Sequence, residues 1–172
     1  MRIIKISILS LIALLVLFLS IGTIFPSFDY TNEVKVEAPM DKCWQSLNNP
    51  TTMHRWMQGL ETYKLISGEH LQPGGTYSLI IVEGSERMEM IQKIEDINPP
   101  ASIHLILTND VLTSDFSYLL SETDGVTTLQ AHYEVTGNSI LWSSVLRLSK
   151  GYISGEGQKQ LQKLKTLIES EK

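Results

Sequence analysis

The sequence predicts an α+β fold in which a curved antiparallel sheet of about seven strands surrounds a long C-terminal helix, preceded by one N-terminal transmembrane helix. Three patterns predict it. Residues 6–25 carry no charge, apolar and polar side chains alternate through much of residues 60–136, and helical spacing of apolar residues returns from Leu141 onward. These patterns are typical of a membrane span, a sheet and a covering helix, respectively.

The N-terminal apolar run predicts a membrane anchor. At about 1.5 Å per residue, a helix over residues 6–25 is about 30 Å long, which matches the bilayer hydrocarbon. Arg2 and Lys5 precede the run and no positive cluster follows it, so the positive-inside rule places the N-terminus in the cytoplasm and the domain in the periplasm or outside the cell. We therefore divide the chain into an anchor, residues 1–28, and a globular domain, residues 29–172.

A cleaved signal peptide is the alternative interpretation of this segment. Ser20, Ile21 and Gly22 form a small-x-small triplet of the kind found at cleavage sites. The apolar run continues past this triplet and exceeds the usual length of a signal core, which favours a retained helix. Both interpretations place the domain on the same side of the membrane.

The domain is acidic and has a single cysteine. Beyond Lys5 the chain carries 12 basic and 19 acidic residues, a net charge of −7. Such a composition is unsuited to binding nucleic acid, because that binding depends on cationic side chains that neutralise the phosphates. It is equally unsuited to docking on anionic lipid through basic patches. Cys43 has no partner for an intramolecular disulfide, and we expect it to pack as a small apolar side chain.

The first predicted elements of the domain are a strand over residues 30–37 and two short helices. Pro39 suits the first turn of a helix that ends before Pro50, and the second helix ends near Met57. Turn residues then separate six strands, which alternation places at residues 60–67, 76–82, 86–97, 102–108, 112–122 and 126–136.

A helical pattern follows the last strand. Its apolar face is formed by Leu141, Val145, Leu148, Tyr152, Leu161, Leu164 and Ile168. Three glycines between residues 151 and 157 each weaken a helix by about 1 kcal/mol relative to alanine, so we expect a long helix that is bent or loosened there. A long twisted sheet curls, and this helix is the remaining amphipathic element that can cover its concave face.

The order of elements resembles the START-like, Bet v 1-like superfamily, also called SRPBCC or polyketide cyclase/dehydrase-like. The matching motifs are VKVEAPMDKCW at residues 34–44, PGG at 73–75, VTTL at 126–129 and LQKLK at 161–165, and the resemblance covers about residues 31–170. It implies a helix-grip fold with a cavity between sheet and helix. Members bind lipids, sterols, polyketides and other apolar molecules, and a minority are cyclases or hydrolases. The resemblance implies no universal catalytic residue, and it leaves the membrane anchor out.

A curved sheet closed by one helix encloses a wedge that side chains need not fill, so we predict a cavity there. Gln92, Tyr118 and Tyr133 are its polar candidates because they fall on inward strand positions, and Met88 and Met90 would adapt to a variable ligand. Ordinary core packing is the alternative for each residue. The predicted ligand-binding residues are Trp56, Met88, Met90, Gln92, Leu105, Phe116, Tyr118, Tyr133, Trp142 and Leu146.

His54 and Arg55 are the polar pair that we predict at the cavity mouth, and a surface role is the alternative. His54, His70, His104 and His132 have no metal-ligand spacing among them, so no metal or other cofactor is predicted. The sequence has no nucleophile elbow or phosphate loop, and its carboxylates are scattered over outer strand faces, so catalytic residues stay unassigned.

Binding of a hydrophobic small molecule or lipid at the outer face of a membrane is the leading hypothesis. The expected partners are that ligand and, through the N-terminal helix, the membrane, but not nucleic acid; the oligomeric state is left open. A cyclase or dehydratase is the second hypothesis and needs a general acid or base inside the cavity. An interaction module of the cell envelope is the third, and it predicts a solid core with an exposed apolar patch.

Overall fold

The computed structural model describes residues 2–171, which form one antiparallel sheet and five helices. The helices are α1 (Arg2–Ile24), α2 (Met40–Asn48), α3 (Met53–Trp56), α4 (Ile140–Leu148) and α5 (Lys150–Ser170). The strands are β1 (Ser27–Val36), β2 (Leu60–Ser67), β3 (Thr76–Glu83), β4 (Glu86–Asn98), β5 (Ser102–Thr108), β6 (Leu112–Thr123) and β7 (Val126–Gly137). The predicted helix-grip architecture is confirmed, including the two short helices after the first strand.

The sheet is a meander whose last strand pairs with the first. Its order is β1-β7-β6-β5-β4-β3-β2, and neighbouring strands are antiparallel throughout. Asp124 and Gly125 form the two-residue loop between β6 and β7, with φ angles of 53° and 77°. An Asp-Gly pair tolerates these positive angles, which twist the hairpin in the direction that strands prefer.

The C-terminal half of α5 covers the concave face of the sheet. Leu161, Leu164 and Ile168 are almost completely buried, in one cluster with the strand residues Val36 and Leu129. The three helix residues recur at intervals of three and four, so they form a single apolar stripe.

The predicted single C-terminal helix is two helices in the structure. The break lies at Ser149, ahead of the three glycines, which all lie within the continuous helix α5. The predicted apolar stripe is therefore divided, and Leu148 and Tyr152 are 65% and 66% exposed. Periodicity identifies residues that share a face, but it does not show what that face contacts. In α4 the face that carries Leu148 is directed away from the sheet.

Helix α4 packs along the C-terminal end of α1. The Gly22 backbone N–H donates a hydrogen bond to Ser144 Oγ at 3.0 Å, and a Cβ on Gly22 would lie only 2.3 Å from the Ile140 carbonyl oxygen. Residues 4–17 of α1 are exposed, so its contact with the domain is confined to the last turns. By length and composition, the segment Ile4–Ile24 can cross a membrane or serve as a signal sequence.

Candidate ligand-binding cavity

An inner cavity of about 200 Å³ lies between the concave face of the sheet and the first half of α5. Its wall is mostly aliphatic and aromatic, with a few polar groups from glutamine, serine and tyrosine side chains. The lining residues are Tyr30, Met57, Leu79, Ile81, Met90, Gln92, Leu107, Leu112, Ser114, Phe116, Tyr118, Tyr133, Val135, Ile153 and Gln160. An apolar wall with a few polar groups is typical of small-molecule sites.

An asparagine on the edge strand β1 holds the first half of α5 in place beside this cavity. Asn32 Nδ2 donates to the Ser154 carbonyl oxygen at 3.1 Å, and Ser154 Oγ donates to Asn32 Oδ1 at 3.3 Å. Gly157 allows this approach, because a Cβ there would lie 2.6 Å from Asn32 Nδ2. The small Ser154 side chain and the absence of a side chain at Gly157 therefore let helix and strand lie close together.

An outer cleft of about 330 Å³ connects the inner cavity with the surface. The two hollows share five wall residues, which stand at the passage between them: Tyr30, Ile81, Tyr133, Ile153 and Gln160. Tyr152 and Glu156 of α5 line the outer cleft as well. An apolar molecule that enters here would pass the charged and exposed side chains at the rim of the cleft before it reaches the inner cavity.

A third hollow, of about 30 Å³, extends the inner cavity beneath α3. Trp56 is 1% exposed and lines it, and within residues 2–171 its indole Nε1–H has no hydrogen-bond partner. Gln92 lines both spaces and donates from Nε2 to the Tyr63 hydroxyl at 2.8 Å. A buried donor without a partner costs about 1–3 kcal/mol, so an acceptor atom placed in this hollow would be stabilised.

A row of aromatic rings crosses three strands at the cavity wall. Tyr133 of β7 lies between its cross-strand neighbours, Tyr30 of β1 and Phe116 of β6, and stacks on them with ring centroids 4.8 Å and 5.2 Å away. The hydroxyl oxygens of Tyr133 and Tyr118 are 3.3 Å apart. Such pairs stabilise adjacent strands and present a flat surface to a ligand.

The tyrosine hydroxyls of this row are kept neutral. Burial raises the pKa of Tyr133 well above 10.0, and the neighbouring Tyr118 adds to the effect. Burial also raises the pKa of Tyr118, although its hydrogen bond with Tyr133 opposes this, and burial followed by the influence of Tyr118 raises the pKa of Tyr30. Neutral phenols donate and accept hydrogen bonds, but they do not act as bases near neutral pH.

These raised pKa values predict a loss of stability in alkaline solution. Below pH 10 the phenols are protonated in folded and unfolded chains alike; above it the unfolded chain releases protons that the folded chain retains, so stability falls as pH rises. Each pH unit costs up to about 1.4 kcal/mol per buried tyrosine. Thermal unfolding followed from pH 8 to 12 should show this decline, and it should be smaller in a Tyr118→Phe/Tyr133→Phe variant. Complete tyrosinate absorbance of the native chain near pH 10 would contradict the prediction.

Most of the residues predicted from the sequence gather around these three hollows, although their contact with a ligand stays a prediction. The inner cavity contains Met90, Gln92, Phe116, Tyr118 and Tyr133; the small hollow contains Trp56 and Leu105; and the outer cleft contains Met88. Strand alternation placed all of them except Trp56, which lies on α3, on one face, and the curvature of the sheet brings that face together.

Two predicted wall residues lie on α4, outside the described hollows. Trp142 is 37% exposed on α4, and Leu146 packs in a separate cluster with Phe28 and Val135. Neither is among the residues that line the described hollows. The break at Ser149 separates their helix from α5, and contact of either residue with a ligand stays a prediction.

The predicted mouth is also displaced. His54 is exposed on α3, and Arg55 lies in a separate surface groove, where its guanidinium pairs with Glu171 at the end of α5. The outer cleft opens beside Tyr152, a residue that helical spacing assigns to a covered face. The first turn of α5, not α3, therefore borders the entrance.

Several wall residues were missed, and some had a detectable signal. Ser114 precedes Phe116 and Tyr118 at strand spacing, so alternation alone places it on the inward face. Tyr30 and Ile153 had no such signal, because their positions depend on how β1 and α5 pack against the sheet.

The remaining histidines lie outside the cavity. His104 Nε2 is 2.6 Å from Asp115 Oδ1 on the outer face of the sheet, and His132 Nδ1 is 3.0 Å from Thr31 Oγ1. Within residues 2–171, no three His, Cys, Asp or Glu residues form a group that could hold a metal ion.

Comparisons with known proteins agree with this fold. A family model described as "Polyketide cyclase / dehydrase and lipid transport" matches residues 27–169. The Zhui aromatase/cyclase from Streptomyces sp. R1128 is 13% identical with a TM-score of 0.71, covering 83% of this chain and 94% of that one. A conserved protein from Geobacillus kaustophilus is 15% identical with a TM-score of 0.69, covering 82% and 95%. Norcoclaurine synthase from Thalictrum flavum, solved with dopamine and hydroxybenzaldehyde, is 12% identical with a TM-score of 0.63, covering 85% and 88%. No curated protein matches the sequence.

Proposed function

Because the chain belongs to the polyketide cyclase/dehydrase and lipid transport family, within the START-like, Bet v 1-like superfamily, we propose that it binds an apolar small molecule or lipid in the inner cavity. We further propose that α1 holds it at the outer face of a membrane. The single observation that carries the proposal is the unfilled apolar space between the sheet and α5. Cores of this size normally pack without such voids, so an open, lined space favours a ligand.

The dimensions support a ligand of modest size or one that is only partly enclosed. The inner cavity of about 200 Å³ is smaller than the range of about 300–1,000 Å³ that is usual for drug-sized ligands. The adjoining outer cleft of about 330 Å³ offers space for a second part of the molecule. A chain or ring could therefore occupy the inner cavity while a more polar end remains near Glu83 and Glu156 in the cleft.

The inner end of the site favours a ligand with an oxygen acceptor. Trp56 and Gln92 both line the small hollow, and the Trp56 indole N–H has no hydrogen-bond partner among the described residues. The Tyr118 and Tyr133 hydroxyls offer further neutral donors in the inner cavity. A carbonyl or hydroxyl oxygen at the leading end of an otherwise apolar molecule would satisfy these donors.

A cyclase-type enzyme is the second candidate, favoured by the Tyr118–Tyr133 pair, which could stabilise an enolate oxygen. It is supported by the two relatives named as an aromatase/cyclase and a synthase. The described wall of the inner cavity carries no carboxylate, imidazole or amine to take up a proton. Ligand binding without a reaction therefore explains the composition of the cavity wall better than acid–base catalysis does.

The location at a membrane rests on α1. Its exposed apolar surface, over most of a segment long enough to cross a bilayer, would be costly in water. Lys5 on the N-terminal side favours the orientation with the domain on the outer face.

Native mass spectrometry of the full chain, extracted in mild detergent, tests the binding proposal. We expect an additional mass that is lost on denaturation and recovered in the organic extract as an apolar molecule with at least one oxygen. A chain that carries no such molecule and does not bind the amphiphilic fluorophore 1-anilinonaphthalene-8-sulfonate, whose rings are apolar, would contradict it. Release of a chemically altered product from an added substrate would instead favour the cyclase.

A further inference from the structure

We propose that α4 lies in the interfacial layer of the membrane that α1 enters, with Leu141, Trp142 and Leu148 in contact with lipid. This inference rests on the proposed anchoring by α1 and adds a second, amphipathic contact that fixes how the domain stands on the bilayer. The partner is the lipid of the outer leaflet.

Apart from the buried Leu146, the burial pattern of α4 is the reverse of that in a helix exposed to water. Its small polar residues Ser143 and Ser144 are buried, whereas Leu141 and Leu148 are 50% and 65% exposed and Trp142 is 37% exposed. Ser143 Oγ donates to the Gly137 carbonyl oxygen, and Ser144 Oγ donates to the Ile140 carbonyl oxygen, so the buried hydroxyls are satisfied internally. A helix that hides hydroxyls and exposes leucine and tryptophan is suited to an apolar surrounding.

The position of α4 places this exposed face at the depth of lipid. Gly22, which contacts Ser144 and Ile140, lies within the apolar segment Ile4–Ile24. Further on, the Arg147 guanidinium carbon lies 5.2 Å from the centre of the Phe25 ring. If α1 crosses the hydrocarbon, its last turns and the helix beside them reach the boundary between acyl chains and headgroups, where tryptophan is favoured.

The local charge agrees with this position. Residues 135–155 contain no aspartate or glutamate but do contain Arg147 and Lys150, in a chain whose net charge is −5. The part of the domain that would meet the bilayer therefore lacks the acidic residues found elsewhere in the domain. Its two cationic side chains can interact with the phosphate groups of the lipids.

The same placement brings the cleft entrance near the lipid. Helix α5 begins directly after Ser149, and its first turn carries Tyr152 and Ile153, which line the outer cleft. Leu146 of α4 packs in one cluster with Ile153. An apolar molecule leaving the bilayer beside α4 would therefore have only a short path through water before it reaches the cleft.

Fluorescence quenching by brominated lipid tests the inference on the full chain. The chain has three tryptophans, and Trp44 and Trp56 are buried inside the domain, so Trp142 is the one positioned to meet lipid. In phosphatidylcholine vesicles whose acyl chains are brominated near the glycerol, we expect quenching of a blue-shifted component that disappears in Trp142→Phe. Protein that floats with the vesicles but shows no quenching of Trp142 would overturn the inference.

A pair of variants separates α4 from the anchor and from the cavity. Leu141→Asp/Leu148→Asp should still float with the vesicles through α1 but lose most of the Trp142 quenching. Ile66→Asp is the matched control: Ile66 is 51% exposed on β2, and its replacement should leave the quenching unchanged. Equal quenching in the wild type, the double variant and the control would overturn the inference. Cross-links that join the exposed face of α4 to a second chain in place of lipid would overturn it as well. Failure to float would instead refute the anchoring by α1, and loss of the bound small molecule would concern the cavity alone.

Discussion

Replacing Ser114 by phenylalanine is expected to weaken binding of an apolar probe at least tenfold, a loss of about 1.4 kcal/mol or more. Ser114 is buried in the wall of the inner cavity, directly across from Leu107 and Val135 on the neighbouring strands. An aromatic side chain at this position would project into the space of about 200 Å³ and occupy the volume that the ligand needs. Because it fills a hollow and suits a strand, we expect the fold to be retained.

Titration of the wild-type and variant chains with 1-anilinonaphthalene-8-sulfonate measures this effect. Ser117→Phe is the matched control, since it places the same side chain on the opposite face of β6, beside His104 and His132. The control should bind the probe as the wild type does. Unchanged affinity in Ser114→Phe, with a native circular dichroism spectrum, would mean that the probe does not occupy this cavity.

Two glycines two residues apart in α5 should respond in opposite directions to the same substitution. Gly157→Ala should destabilise the domain by about 1–3 kcal/mol, because its Cβ would lie 2.6 Å from Asn32 Nδ2, in the hydrogen-bonded clamp between β1 and α5. Gly155→Ala should stabilise the domain by about 1 kcal/mol, since no atom lies within 4 Å of that Cβ and alanine favours the helix.

Thermal unfolding compares the two variants with the wild type. For a chain of this length, about 1 kcal/mol corresponds to a change of about 2–4 °C in Tm, so the variants should lie on either side of the parent. Asn32→Ala combined with Gly157→Ala should lose less than the sum of the single changes, because the alanine methyl then has room. A stabilising Gly157→Ala would show that α5 does not approach β1 as closely as the structure has it.

The order of elements could be predicted from the sequence because local physics determines it. Alternating side chains specify strands, and Asp124-Gly125 specifies its hairpin through the positive φ angles that it tolerates. The buried stripe of Leu161, Leu164 and Ile168 likewise follows from helical spacing. Inward positions of β4, β6 and β7 were assigned correctly to one face, and these residues form most of the predicted cavity wall that the structure brings together.

The prediction was wrong where an apolar helix face could pack against more than one part of the molecule. The apolar face of Leu141, Leu148 and Tyr152 was assigned to the sheet, but the helix breaks at Ser149 and leaves that face exposed. The predicted site residues Trp142 and Leu146 lie on α4 and are not among the residues that line the described hollows. The glycines of α5 were interpreted as a bend, whereas Gly157 instead permits a close approach to Asn32.

By itself, the sequence determined the apolar N-terminal helix, the antiparallel meander, the covering helix and the set of side chains that point inward, because each depends on neighbours within a few residues along the chain. Only the tertiary structure decided that α4 packs on α1, that Asn32 clamps α5, and that the cleft opens beside Tyr152. These features depend on which surfaces meet and on the space that remains between them. Periodicity carries no information on either, since one apolar face packs equally well against a sheet, another helix or lipid.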